Sequence, residues 1–241
     1  MNSEQWKNTA PAPEGTHHLK VLGGEALYPA RYDKVLPFRA PGLAAAQLGA
    51  GGFHILPDGN PAYSERFTRA FNFYEGLAAV MLQREWFHIH PDGGSAYGGT
   101  WNWCGNFQRQ RCPVRDARGR YYHIRKNGEP LPGGPHLYAG DFRECVAVVR
   151  SPDGLCRHVD SEGRFVNTGA FFDLDVPHKG YACARDAGGW FHIDKDGNDA
   201  SGGHRYRYLE PFYNGQALAR KQDGEMVVID ESGEIRIFIG G

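Results

Sequence analysis

Six of the eleven histidines recur at one spacing: His18, His54, His88, His123, His158 and His192, mostly inside an aromatic-His-Ile tripeptide such as Phe53-His54-Ile55. Val228 closes the series, and the interval averages about 35 residues. Imidazole is a common metal ligand and a proton carrier near neutral pH, so a ring of metal-binding histidines is one reading. A metal needs three or more donors within about 2–2.3 Å of one ion, and equivalent positions on separate repeats rarely converge that closely. A buried imidazole is instead satisfied by a nearby backbone group, and this structural role is the expectation here. No cofactor is required by the sequence; a divalent metal is left open.

A second series ends each repeat's first strand: Gln47, Met81, Arg115, Arg150, Arg185 and Arg220. Guanidinium groups gathered at one mouth would take phosphate or carboxylate bidentately. The competing expectation pairs each with a local acid such as Asp116, Asp153, Asp186 or Asp223. A third series precedes the first strand, at Pro37, Asn72, Asn106, Asp141, Asp175 and Pro211, beside Glu75, Arg109, Glu144, His178, Lys179 and Asn214. Connections between repeats often carry binding residues, although Asn and Asp also make local turns. If the protein is an enzyme, Asp141, Glu144, Asp175 and His178 are the acid, base or metal candidates, because a carboxylate and an imidazole on adjacent loops can share a proton.

Two repeats depart from the pattern. One carries Trp101, Trp103, Asn106 and Arg109 and places Pro113 inside its strand; the other reads Asp173-Leu174-Asp175-Val176-Pro177-His178-Lys179. Together they outline a pocket of Trp101, Trp103, Asn106, Arg109, Asp175 and His178, suited to a planar polar ligand or a sugar. Asn72, Arg115, Arg150, Arg185 and Arg220 complete the ligand-binding candidates. Drift in a decaying repeat explains the same departures. Cys104 and Cys112 lack a Cys-His signature and read as structural thiols.

The elements that hold these residues follow from punctuation. Five residues after each member of the histidine series stands a glycine: Gly23, Gly59, Gly93, Gly128, Gly163, Gly197 and Gly233. Asp58-Gly59, Asp92-Gly93, Asn127-Gly128 and Asp196-Gly197 are strong tight-turn signals. Upstream lies a strand of small apolar residues, as in Gly76-Leu77-Ala78-Ala79. A third strand is expected after the turn, ending at Tyr32, Phe67, Trp101, His136, Phe171 or Tyr206, with a short fourth strand leading into the next Phe. With 33 Gly and 15 Pro, long helices are disfavoured, yet 41% hydrophobic residues support a core.

The fold expected is all-β, built of antiparallel meanders of about 35 residues that bury their faces by stacking. A closed β-propeller of six to seven short blades is preferred over an open solenoid. Residues 1–16 are read as a flexible segment and 17–241 as one domain, with units near 17–37, 38–71, 72–105, 106–140, 141–174, 175–210 and 211–241.

A net charge of −1 argues against nucleic acid as a partner. There is no apolar run of membrane-spanning length and no basic-then-apolar leader. Five cysteines, none in a Cys-x-x-Cys pair, fit a reducing cytoplasm.

The segments Phe73-Tyr74-Glu75-Gly76-Leu77-Ala78-Ala79-Val80, Trp86-Phe87-His88-Ile89 with Asp92-Gly93, and Trp190-Phe191-His192-Ile193-Asp194-Lys195-Asp196-Gly197 resemble the WG (KWG) repeat of bacterial proteins. In that family a Trp-Gly-Tyr-Ile-Asp core lies between a Gly-Leu-Ala strand and a glycine turn. Here Phe87 and Phe191 replace its glycine and His its tyrosine, which marks a divergent branch similar to arrays that accompany bacterial methyltransferases. The chain is also similar in size to the WD-repeat-type protein of toxoflavin (azapteridine) gene clusters. These resemblances imply a repeat scaffold that binds a small polar ligand or a partner enzyme such as a methyltransferase. The alternatives are an enzyme or accessory protein of secondary metabolism acting on a heteroaromatic substrate, and a lectin.

Overall fold

The computed structural model describes residues 4–240, so the first three residues of the segment expected to be flexible lie outside the described residues. After a 3-10 turn at Gln5–Asn8, β1 (Thr9–Pro11) pairs antiparallel with β2 (His18–Lys20). Among the described residues that turn is the one helical element, and no helix is long and apolar enough to cross a membrane.

The chain divides into two compact units: residues up to Gly119 with Ile124–Pro130, and Arg120–His123 with the residues from Leu131 on. In the first, β3 (Lys34–Val35), β4 (Ala44–Leu48) and β5 (Gly51–Ile55) form one three-stranded sheet. A second contains β6 (Arg69–Tyr74), β7 (Leu77–Leu82) and β8 (Glu85–Ile89). β9 (Trp103–Cys104) then pairs with β10 (Cys112–Arg115), and the division between units passes through β11 (Tyr121–Ile124).

The second unit repeats the plan. β12 (Tyr138–Ala139), β13 (Val146–Arg150) and β14 (Cys156–Asp160) form one sheet, and β15 (Asp173–Leu174), β16 (Tyr181–Asp186) and β17 (Gly189–Asp194) the next. The last has four strands, β18 (Tyr208–Leu209), β19 (Gln216–Arg220), β20 (Met226–Asp230) and β21 (Ile235–Gly240). The pairings of β1 with β2, within β3–β5 and β6–β8, of β9 with β10, and within the sheets of β12–β21 are antiparallel, with small residues on the central strand facing the histidine: Ala45 opposite His54, Ala79 opposite His88, Cys183 opposite His192. Ala44, Ala78, Ala147 and Ala184 are fully buried, which lets large side chains from the flanking segments close over the sheets.

The short strand leading into the recurrent Phe opens the following sheet, as β3 precedes Phe38 and β12 precedes Phe142, while β6 runs on through Phe73. The strand expected after the glycine turn is corrected. In most repeats it makes only two bridges to the preceding strand, such as Ile55–Pro61 and Gly52–Phe67, or Val159–Phe165 and Cys156–Phe171. Between the bridges the backbone leaves the sheet as a loop, whether the first bridging residue is Pro61, Ser95, Pro130, Phe165 or Asp199. Only the segment forming β21 is continuous among the described residues. The slot places Tyr32, Phe67, His136, Phe171 and Tyr206 in buried positions and Trp101 in a half-buried one.

Candidate functional site

The recurrent histidines form latches between consecutive repeats. His18 Nε2 lies 2.9 Å from the Leu36 carbonyl, His54 2.8 Å from Phe71, and His88 3.1 Å from Gly105. In the second unit His123 reaches Gly140 at 2.7 Å, His158 reaches Asp175 at 2.8 Å, and His192 reaches Glu210 at 2.9 Å. A carbonyl only accepts, so Nε2 carries the proton in every case. The acceptor lies at the opening strand of the next repeat, and five of the imidazoles pack on that repeat's Phe, with ring centroids 4.3 Å apart for His18–Phe38 and 3.8 Å for His192–Phe212, while Pro177 stands in that slot after His158. Burial lowers the pKa of all six, to about 4 for His54, His88, His123 and His192.

In the first unit the other ring nitrogen is held too. The hydroxyls of Tyr28 and Tyr97 donate to Nδ1 of His18 and His88 at 2.6 Å, and Tyr63 does the same to His54. These tyrosines recur with the histidines and were not recognised in the sequence. Each also lies across the next turn: a Cβ on Gly59, Gly93 or Gly128 would come within 2.6–2.8 Å of the Tyr28, Tyr63 or Tyr97 ring. Those glycines have φ between +84° and +88°, so the turn needs glycine for two separate reasons. In the second unit Asn167 and Ser201 occupy the tyrosine slot, and Nδ1 of His192 is buried without a partner.

The connections expected to carry chemistry are turn clamps. Glu75 accepts the Arg109 and Gln110 amides at 2.7 Å each, where both residues have positive φ, and Lys126 Nζ donates to the Glu75 carbonyl at 2.5 Å. Glu144 accepts the Lys179 amide at 3.2 Å, which brings it to the turn that also holds His178. His178 rests its ring 5.4 Å from Tyr213 and has a buried Nε2 without a partner. Asp175 is exposed and gives its carbonyl to His158; partial desolvation and the neighbouring Asp173 charge raise its carboxyl pKa. Asp141 is exposed. Among the described residues no three His, Cys, Asp or Glu side chains are grouped to hold a metal.

Of the ligand candidates in the first unit, Trp101 exchanges two backbone hydrogen bonds with Trp86, Trp103 opposes Arg115 across β9 and β10, and Asn106 precedes the buried Phe107. Buried Asn72 accepts the Ala45 amide at 3.4 Å, tying two sheets together. In the second unit the arginines do not pair with the acids expected. Arg150 donates to the Gly154 carbonyl at 3.1 Å, Arg185 lies 3.7 Å from Asp173, and Arg220 contacts Met226 Sδ at 3.3 Å. Asp153, Asp186 and Asp223 hold Arg157, Arg205 and Lys221 instead. Cys104, Cys112, Cys156 and Cys183 are buried, and desolvation pushes the Cys104 and Cys183 thiols up to about 12, far from a reactive thiolate.

In an antiparallel meander successive connections alternate between two ends. The end carrying the 39–43 and 56–60 turns of the first unit also bears an open cavity of about 800 Å³. Trp6, Leu22, Leu27, Tyr28, Leu43 and Leu56 make it largely apolar, with Asn8, Lys20 and Asp58 as polar points. Leu22 is 86% exposed, the highest value among the large exposed hydrophobics. Trp6 presses on the Gly42 backbone, where a Cβ would meet its Nε1 at 2.9 Å. No local sequence pattern marks this groove, because its walls come from four separate segments.

No protein-family profile and no curated protein matches the chain. Among solved structures, the computationally designed protein Ika8 is similar with a TM-score of 0.50 at 14% identity, covering 95% of this chain and 82% of its own. BamB from Moraxella catarrhalis gives 0.47 at 12% identity, covering 100% and 86%, and Hsv2 from Kluyveromyces lactis gives 0.48 at 11% identity, covering 93% and 86%. The likeness to the designed protein is one of fold alone.

Proposed function

We propose that this protein is a WG-like β-propeller scaffold that binds rather than transforms, taking a small polar or heteroaromatic molecule, or a partner enzyme such as a methyltransferase, on the end that carries the turns between repeats. The observation behind this reading is that the recurrent imidazoles, the residues best suited to chemistry, are spent on holding one repeat to the next. Glu144, which would supply an acid or base, holds a turn. The groove beside Trp6 offers apolar area and a few polar points, the usual composition of a small-molecule site.

Tryptophan emission tests the small-ligand form directly. Titration with lumazine should give a saturable change that is lost in Leu22→Asp and altered in Trp6→Phe; no change with lumazine or guanosine sinks it. Size-exclusion of the protein mixed with a bacterial small-molecule methyltransferase tests the partner form, and independent elution counts against it. Small-angle scattering separates the proposed closed ring from an extended solenoid.

A further inference from the structure

The first unit has a second cavity, of about 580 Å³, running from the hairpin end of β4 and β5. Its walls come from two consecutive sheets: Lys34, Ala45, Ala46 and Gln47 on one side, Arg69 and Phe71 on the other. No acidic residue lines it. Lys34 and Arg69 open β3 and β6, the same position in successive repeats, and lie opposite the uncharged Gln47 and Met81 across their sheets. Both are exposed, and among the described residues neither is in an ion pair. At the equivalent place in the second unit Asp173 opposes Arg185, so the charge there is answered within its own sheet.

The cleft has room because Ala45 and Ala46 are small, and it has an apolar wall because the Phe71 ring is fixed by stacking on Trp86 at 5.2 Å and 23°. Thr68 Oγ1 at the rim accepts the Gln83 amide at 2.8 Å, which leaves its O–H as a further donor. Two cations, a hydroxyl donor and a flat apolar wall, without a carboxylate, select one ligand chemistry.

We propose that this cleft binds a small molecule with an oxyanion head, phosphate or carboxylate, on a flat apolar body. The Arg69 guanidinium would take the head through paired N–H donors and Lys34 would add a point charge from the neighbouring sheet. The body would lie along Phe71 and the alanines. This site is at a different place from the groove beside Trp6 and does not depend on that reading.

Calorimetric titration with phenyl phosphate, benzoate and the cationic isostere benzamidine tests the assignment. Saturable one-to-one binding of at least one anion is expected, weakened about tenfold in Lys34→Gln or Arg69→Gln, the loss typical of one charged hydrogen bond. Lys34→Gln/Arg69→Gln should bind neither anion, and Leu22→Asp should bind as the parent does. The preferred anion distinguishes a phosphate from a carboxylate source. Binding of benzamidine as tight as that of the preferred anion, undiminished anion binding by the double variant, or no saturable binding of either anion overturns the proposal. Both side chains are exposed, so circular dichroism melting should show the variants folded.

Discussion

The imidazole of His54 is held at both nitrogens, its Nε2–H by the Phe71 carbonyl at 2.8 Å and its Nδ1 by the Tyr63 hydroxyl. One side chain thereby joins its own strand, the loop after it and the opening strand of the next repeat. Tyr63→Phe keeps the ring over Gly93 but strands Nδ1 in a buried setting. The expected loss is about 1–2 kcal/mol in urea denaturation, with the His54 Nε2 tautomer retained in nitrogen NMR. A stability equal to the parent's would show that the hydroxyl contributes nothing.

The six latches should make the fold acid-sensitive. An unfolded imidazole takes its proton near about 6.5, whereas burial lowers the folded value to about 4 at His54, His88, His123 and His192. Between those values the unfolded chain binds more protons. The stabilisation is therefore complete above the unfolded value and lost as pH falls toward the folded one, at a cost on the order of 1–2 kcal/mol per histidine at pH 5. Denaturation midpoints measured at pH 7.5 and pH 5 should differ strongly; equal midpoints would contradict the neutral, buried state.

Gly93 and Gly99 separate conformation from space. Both have φ near +88°, at +88° and +87°, but a Cβ on Gly93 would lie 2.8 Å from the Tyr63 ring, whereas Gly99 faces open space. Gly99→Ala should cost about 1 kcal/mol for the backbone alone. Gly93→Ala should cost distinctly more, because the Tyr63 ring must move and its bond to His54 with it. Equal melting temperatures for the two variants would remove the inter-repeat packing role.

Glu75 joins two repeats through a turn that has positive φ at Arg109 and Gln110. Glu75→Ala frees two amides in an exposed turn and should lower stability by about 1 kcal/mol. Glu75→Gln keeps one acceptor oxygen and should fall between alanine and the parent. Hydrogen exchange of those two amides reads the clamp directly, and unchanged rates in Glu75→Ala would discard it.

The period and turns of this protein are written locally, and so the sequence determined them: the histidines, the glycines five residues on, and the small-residue strands each depend on near neighbours along the chain. All seven turn glycines have positive φ. The interrupted strand after each turn carries no common local mark, since Pro61, Ser95, Pro130, Phe165 and Asp199 stand at equivalent bridges and are each followed by the same loop. The arginine series was equally visible, but its partners were not, because Asp173 is near Arg185 only through the pairing of β15 with β16.

Tertiary structure alone decided what each recurrent residue does. A histidine meets a carbonyl 17 or 18 residues later, a tyrosine covers the turn of the following repeat, and Glu75 reaches a turn 34 residues away. The same holds for the Trp6 groove and the Lys34–Arg69 cleft, whose walls are assembled from separate segments. Spacing shows that residues are equivalent; only the stacking of one sheet against the next determines which of them touch. That is why the sequence determined the repeat, while the bonds between repeats and the two cavities belong to the folded chain.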